Sequence, residues 1–444
     1  MLCHTPLMAT MLGIAEPGRP DAIGSVDHDT MPIRCHWADA RDEDRCGRVV
    51  GYAADAWQQQ VDEIGFVAPV PDEDGVLDIY VFSYHAGGAY TFCSTWDDGD
   101  RKDGLTGCPG YIAMDRAISN AELASYVAHE FNHVLQYATD YNEPTLPVWE
   151  ATATAAEQWT YPDTLVPTDY YLADYQAAPW MGLFGDGYFL WDHFDLWSYY
   201  EYGAAVWILH LDHHYGDGQG SAGAALWAGL AQDGANNSTN VIDSYDAVTG
   251  GMADALLSLA AERVTLGTDN APEWLDYGGE QLLLAIDGTY AAADLPVEHT
   301  PTIAPFGTGA VYVTVEDPAT DLDVSIVADD GTWGIVAVSA GSSDWVEGTT
   351  YRWSGDGPVT FGAVNLDHDQ VATTGRVGHL WDSQRELLLT VAVVDDTTTD
   401  TDTDTDTDTD SGGKNERTGC STAPGAPLSA WLLVGVLALC RRRR

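Results

Sequence analysis

His129-Glu130-Phe131-Asn132-His133 sets two imidazoles and a carboxylate in the pattern H-E-x-x-H. On an α-helix, residues four apart lie one above the other on the same face, so His129 and His133 reach one ion together. Imidazoles in this pattern point to zinc, whose charge acidifies a coordinated water, and Glu130 stands beside them to take that water's proton. Residues 125–136 are uncharged apart from Glu130. A helix that is buried and still places ligands in a cleft has this composition. Ser119-Asn120-Ala121-Glu122 has the spacing of a capping box, which predicts the helix start. The plain alternative is a core helix carrying two histidines by chance, and a third ligand separates the two readings.

Tetrahedral catalytic zinc takes three protein ligands and leaves the fourth position to water. A metzincin would continue H-x-x-G-x-x-H, but Gln136 and Thr139 stand where the Gly and the last His belong. The other arrangement takes a Glu from a second helix. The segment 147–157, PVWEATATAAE, supplies one: Pro147 suits a first helical turn and the alanines propagate it. Glu150 is the expected third ligand. Thr154 and Glu157 follow at i+4 and i+7 on the same face. Glu157 is either a competing ligand or an acceptor that orients a ligand histidine.

Two linked blocks, 128–136 (AHEFNHVLQ) and 149–154 (WEATAT), resemble a family of secreted myxobacterial metalloproteases of the gluzincin clan. The resemblance implies that Glu150 completes a zinc site. More distantly, Trp149-Glu150-Ala151 is similar to the N-E-G block of a group of gluzincin aminopeptidases. In those enzymes a Tyr in a Y-E-x-G block stabilises the transition state. Tyr200-Glu201-Tyr202-Gly203 matches that block, which makes Tyr200 the implied oxyanion donor, with Tyr202 as the alternative. A further packed aromatic is the bland reading. The block that reads a substrate amino terminus in those aminopeptidases has no counterpart here. The resemblance also implies that substrate backbone pairs with residues 110–115, the strand before the histidine helix.

The 444-residue chain has room for two domains with cores of their own. Its formal charge of −51, with Lys102 and Lys414 as the only lysines, makes nucleic acid an implausible partner. The acid excess fits a saline habitat or structural calcium, for which Asp72-Glu73-Asp74-Gly75 is a permissive loop. Cys35/Cys46 and Cys93/Cys108 are close pairs without C-x-x-C spacing, so two local disulfides and an oxidising compartment are expected. Residues 399–410 are six Thr-Asp repeats, a self-repelling stalk. Cys420, an apolar run at 428–440 and four arginines follow. Together they resemble a myxobacterial C-terminal sorting tag, which implies envelope attachment and a sorting protease acting near Cys420. A simple tail anchor is the alternative. Residues 1–15 lack a basic region and make a poor signal peptide.

Helical periodicity runs over 48–64, and strands are expected at 76–84, 90–95 and 111–115. Helices dominate 119–266. His210, His213 and His214 have metal-ligand spacing, but they fall at a polar helix end and read as solvated. The aromatic-rich stretch 161–197 either walls a specificity pocket or covers the core. From about 300 to 394, short β-rich runs separated by Gly, Asp and Ser predict a β-sandwich. The expected fold is α+β: a leader over 1–31, a gluzincin-like zinc metalloprotease domain over 32–266, and a transition segment over 267–299. A β-sandwich accessory domain over 300–394, a stalk over 395–418 and an anchor segment over 419–444 complete it.

The resulting expectation is an extracellular, surface-anchored zinc metalloprotease acting on protein or peptide. His129, His133 and Glu150 hold the ion, Glu130 is the general base, and Tyr200 stabilises the oxyanion. A non-catalytic surface adhesin with a relic metal site is the rival.

Overall fold

Short β-rich segments near the amino terminus assemble into one mixed sheet. A computed structural model describes residues 19–394 apart from 84–87, 94–106, 142, 144, 164–165, 197, 232–240, 270, 272–273, 275–282, 319 and 368–379. The strands are β1 (Gly24–Asp27), β2 (Ile33–Trp37), β3 (Leu77–Phe82), β4 (Ala89–Cys93) and β5 (Gly110–Asp115), in the order β1-β2-β3-β5-β4. The three middle strands are parallel and the two outer ones antiparallel to their neighbours. The inner strands β3 and β5 read LDIYVF and GYIAMD, almost wholly apolar, because both sheet faces are covered. One face carries helices, and the other a cluster of Tyr80, Tyr90, Phe92, Tyr111 and Ala113. The stretch expected to be a leader therefore contributes β1 to the folded domain. Residues 110–115 are also not an edge: β5 pairs on both sides, and β4 is the outer strand.

The helix Glu43–Ala56 continues through a π-helical stretch, Trp57–Ile64, and stops at Gly65, whose φ of 96° suits a residue without a Cβ. The Cys35–Cys46 disulfide fastens this helix to β2, and Cys93–Cys108 joins the end of β4 to the approach to β5. Both expected pairings are thus formed. The histidine helix spans Leu123–Asp140, and all its residues except Ala124 are buried. Its start differs from expectation: the Ser119 hydroxyl accepts from the Glu122 N–H at 3.2 Å, closing a turn, and regular helix begins at Leu123. The glutamate helix, Leu146–Thr160, carries Pro147 in its first turn and packs along the histidine helix.

Helices Val166–Ala177, Gly187–Phe194, Ala205–Tyr215, Ser221–Leu230, Val241–Thr249 and Met252–Thr265, with the short turn Tyr200–Gly203, complete the helical layer. Among the described residues no helix is long and apolar enough to cross a membrane. The stalk, Cys420 and the apolar run at 428–440 lie outside the described residues, as does the stretch 1–18.

The expected β-sandwich forms from two sheets. One has the order β11 (Ser342–Glu347), β10 (Trp333–Ser339), β13 (Val359–Asn365), β8 (Ala310–Glu316), β6 (Gly288–Ala291). The other runs β12 (Thr350–Trp353), β9 (Leu322–Ala328), β14 (Leu387–Val393), β7 (Val297–His299). Their shared core includes Val313, Ile335, Phe361, Val324 and Leu389. β6 and β7 come from the stretch expected to be a transition segment, which belongs to the sandwich instead.

The sandwich is not a separate bead. Val336, Val338 and Tyr312 point out of its core and join the main hydrophobic core under the helix Met252–Thr265. Strand β10 therefore reads WGIVAVS, apolar on both faces. Leu257 of that helix presses so closely on β10 that a Cβ on Gly334 would stand 2.3 Å from its Cδ2. Leu257→Ala is expected to cost about 2–5 kcal/mol through lost contacts and the cavity left behind. Denaturant unfolding checks this, and both units should shift together in one transition.

Candidate metal centre

The histidine helix and the glutamate helix bring three ligand-type side chains to one point. Nε2 of His129 lies 3.2 Å from Glu150 Oε2, and Nε2 of His133 lies 3.4 Å from the same oxygen. Donor atoms ~2.1 Å from one tetrahedral ion stand about 3.4 Å apart, so the spacing is that of ligands around zinc. All three residues are at most 1% exposed. The ligand atoms of the trio lie within 4.8 Å of one another.

The outer partners decide which atoms face the centre. Gln136 Nε2 donates to Asn132 Oδ1 at 2.8 Å and to the Trp149 carbonyl at 3.0 Å. Its Oε1 therefore accepts from His133 Nδ1, 2.6 Å away, and the His133 Nε2 lone pair is turned toward Glu150. His129 Nδ1 donates likewise to Glu157 Oε1 at 2.8 Å, and the Ser125 hydroxyl holds the other oxygen of Glu157. Two imidazole lone pairs and a carboxylate then converge in a buried space. Such a set of acceptors is stable only with a cation among them. His133 Nε2, Glu150 Oε1 and Glu130 Oε1 are buried atoms with no hydrogen-bond partner among the described residues. The residues fit a divalent ion.

The same demand for positive charge governs proton affinity. Burial disfavours the His129 imidazolium, yet Glu150 and Glu157 override it and raise its pKa to about 10. Burial opposes the Glu150 carboxylate, but His133 and His129 pull its pKa down to about 2. Glu157 goes the other way, raised because burial outweighs His129. Glu150 pairs with Nε2 of both histidines, and Glu157 pairs with Nδ1 of His129. Glu150 therefore lies on the Nε2 side of both imidazoles, and Glu157 lies behind His129 on its Nδ1. Glu157→Gln is expected to keep the metal but weaken it on the order of 10–100-fold, read by competition with a chromogenic chelator.

Glu130 is fully buried and positioned from the sheet. The Thr91 hydroxyl of β4 lies 2.7 Å from its Oε2 and 2.9 Å from its carbonyl. A second line of support starts in the π-helical stretch. Gln60 donates to the Ala128 carbonyl at 3.0 Å and accepts from Asn132 at 3.1 Å, so an amide chain Gln60–Asn132–Gln136 ends on His133. Gln136 was legible as the i+3 neighbour of His133. Gln60 and Thr91 come from distant segments and carry no local signal, although π-helical turns recur near functional sites.

The structure does not bring Tyr200 to the centre. Its hydroxyl donates to the Gly182 carbonyl at 2.7 Å, and its ring packs 4.9 Å from Tyr175. Glu201 accepts from the Gly187 N–H at 2.7 Å, and burial beside Asp186 pushes its carboxyl well above the usual range. The tyrosine that faces the site is Tyr202, stacked on His129 with ring centroids 5.8 Å apart. Its outer face meets Tyr171 at 4.9 Å. Tyr171 of the aromatic-rich stretch thus packs behind Tyr202. Further along that stretch, Trp180 and Phe189 pack on Phe306 of the sandwich side. The calcium-permissive turn is otherwise engaged, with Asp72 paired to Arg19 and Asp74 to Arg34.

No protein-family model matches the chain, and no curated protein matches it.

Proposed function

We propose that the chain is a zinc peptidase of the gluzincin type, exported and held at the cell surface. The observation that supports this most is the His129–His133–Glu150 trio at tetrahedral spacing, with the Glu130 carboxylate held beside it by Thr91. A divalent ion held by the trio supplies Lewis acidity, which acidifies a water and polarises a carbonyl. Glu130 Oε1, the oxygen without a hydrogen-bond partner among the described residues, accepts the water's proton and later delivers it to the leaving amine. Tyr202, rather than Tyr200, donates to the developing oxyanion. Extended substrate adds to the outer edge of β4, where Thr91 fixes the register between peptide and base. Two disulfides, the Thr-Asp stalk and the Cys420 tail with its terminal arginines support an extracellular, anchored location.

Digestion of a peptide library tests the reading. Cleavage that a zinc chelator abolishes and added zinc restores is the expected result. A library left intact by zinc-loaded protein contradicts it and favours the surface adhesin.

A further inference from the structure

A second group of ligand-type side chains lies away from the HExxH centre. His210 and His214 stand one turn apart on the helix Ala205–Tyr215, and Glu262 reaches them from the helix Met252–Thr265. His210 Nδ1 is 2.8 Å from Glu262 Oε2, and His214 Nε2 is 2.8 Å from Glu262 Oε1. The three ligand atoms lie within 4.8 Å of one another. His210 is not the solvated residue its sequence position implied: it is fully buried, between the rings of Trp207 and Trp274. Its Nε2 has no hydrogen-bond partner among the described residues. The side chains of His214 and Glu262 stay 33% and 22% exposed, so the cluster opens to solvent on one side. Arg263, next in sequence, turns away to Gln176 and the Tyr175 carbonyl, and Glu262 pairs with the two histidines.

We propose that His210, His214 and Glu262 form a second divalent-ion site, six-coordinate and completed by water. Two histidines and one carboxylate with open positions are the set that holds non-haem Fe(II), and the same donors suit cobalt and nickel. Donors at right angles, ~2.1 Å from an ion, stand about 3 Å apart. Each imidazole stands 2.8 Å from a different oxygen of Glu262, near that value for a carboxylate that offers both oxygens to the ion, whereas in the first centre both distances, 3.2 and 3.4 Å, run to one oxygen and are tetrahedral. An ion here fastens the helix that follows Tyr202 to the helix seated on the sandwich.

Titration of the full chain with Co²⁺, followed by calorimetry and visible absorption, tests this. Two equivalents are expected, one with the intense bands of tetrahedral cobalt and one with weak six-coordinate bands. His214→Ala, at a partly exposed position, should remove the weak-band equivalent and leave the intense bands and peptide hydrolysis unchanged. His133→Ala should do the reverse to the two spectra. An equivalent lost in His214→Ala supports the site even if the HExxH centre holds no metal. If His214→Ala and Glu262→Gln both titrate as wild type, the three side chains only hydrogen-bond and the proposal fails.

Discussion

Glu130→Gln is expected to keep its metal and lose turnover on the order of 10²–10⁴-fold, the range a general base contributes. Glutamine has the volume of glutamate, and its amide oxygen still accepts from the Thr91 hydroxyl, now 2.7 Å from Oε2. The fold and the metal trio therefore survive, because Glu130 is not among the three ligand-type residues. The amide cannot take a proton from water, so only the chemical step suffers. Turnover measured at equal metal content checks this, and near wild-type hydrolysis would remove Glu130 from the mechanism. A relic site would show no difference, since a purely structural ion has no use for a base.

Glu150→Ala has the opposite signature. It removes the one charged ligand, so the ion is lost and hydrolysis with it. The histidines stay in place: Glu157 still holds His129 at 2.8 Å and Gln136 still holds His133 at 2.6 Å. The variant should therefore fold. A ligand at 1,000 times its Kd stabilises the native state by about 4 kcal/mol. Wild type should gain roughly this much on adding zinc, seen as a rise in Tm. The Glu150→Ala protein should gain none from this centre. A zinc-dependent rise of wild-type size in that variant would show that the third ligand lies elsewhere.

What the sequence made legible was local. The histidine pair and Glu130 come together through helical spacing in an apolar stretch, which helix geometry fixes, whereas Glu150 could be named only beside Glu157. The β character of the sandwich was readable from its turn residues and β-branched runs, though not every strand of it. What stayed hidden depends on which segments meet. Strand order could not be read, so β5 was taken for an edge although β4 lies outside it. Glu150 and Glu157 share a helix face, and only the packing of the histidine helix sets Glu150 beside both Nε2 atoms and Glu157 beside Nδ1 of His129. Tyr200 and Tyr202 are two residues apart, and a short helical turn sends Tyr200 to Gly182 and Tyr202 to His129. β1, β6, β7 and β12 were missed because each has only three or four residues and a half-exposed pattern, and β11 because it is polar and exposed. Glu262 carried no signal until the fold placed it between His210 and His214.

Zinc content by mass spectrometry, compared among wild type, Glu150→Ala and Glu157→Gln after identical dialysis, tests the central claim most directly. Wild type is expected to hold one zinc equivalent more than Glu150→Ala, and Glu157→Gln to retain that equivalent more weakly. Equal zinc in wild type and Glu150→Ala, or loss in Glu157→Gln alone, would contradict that claim.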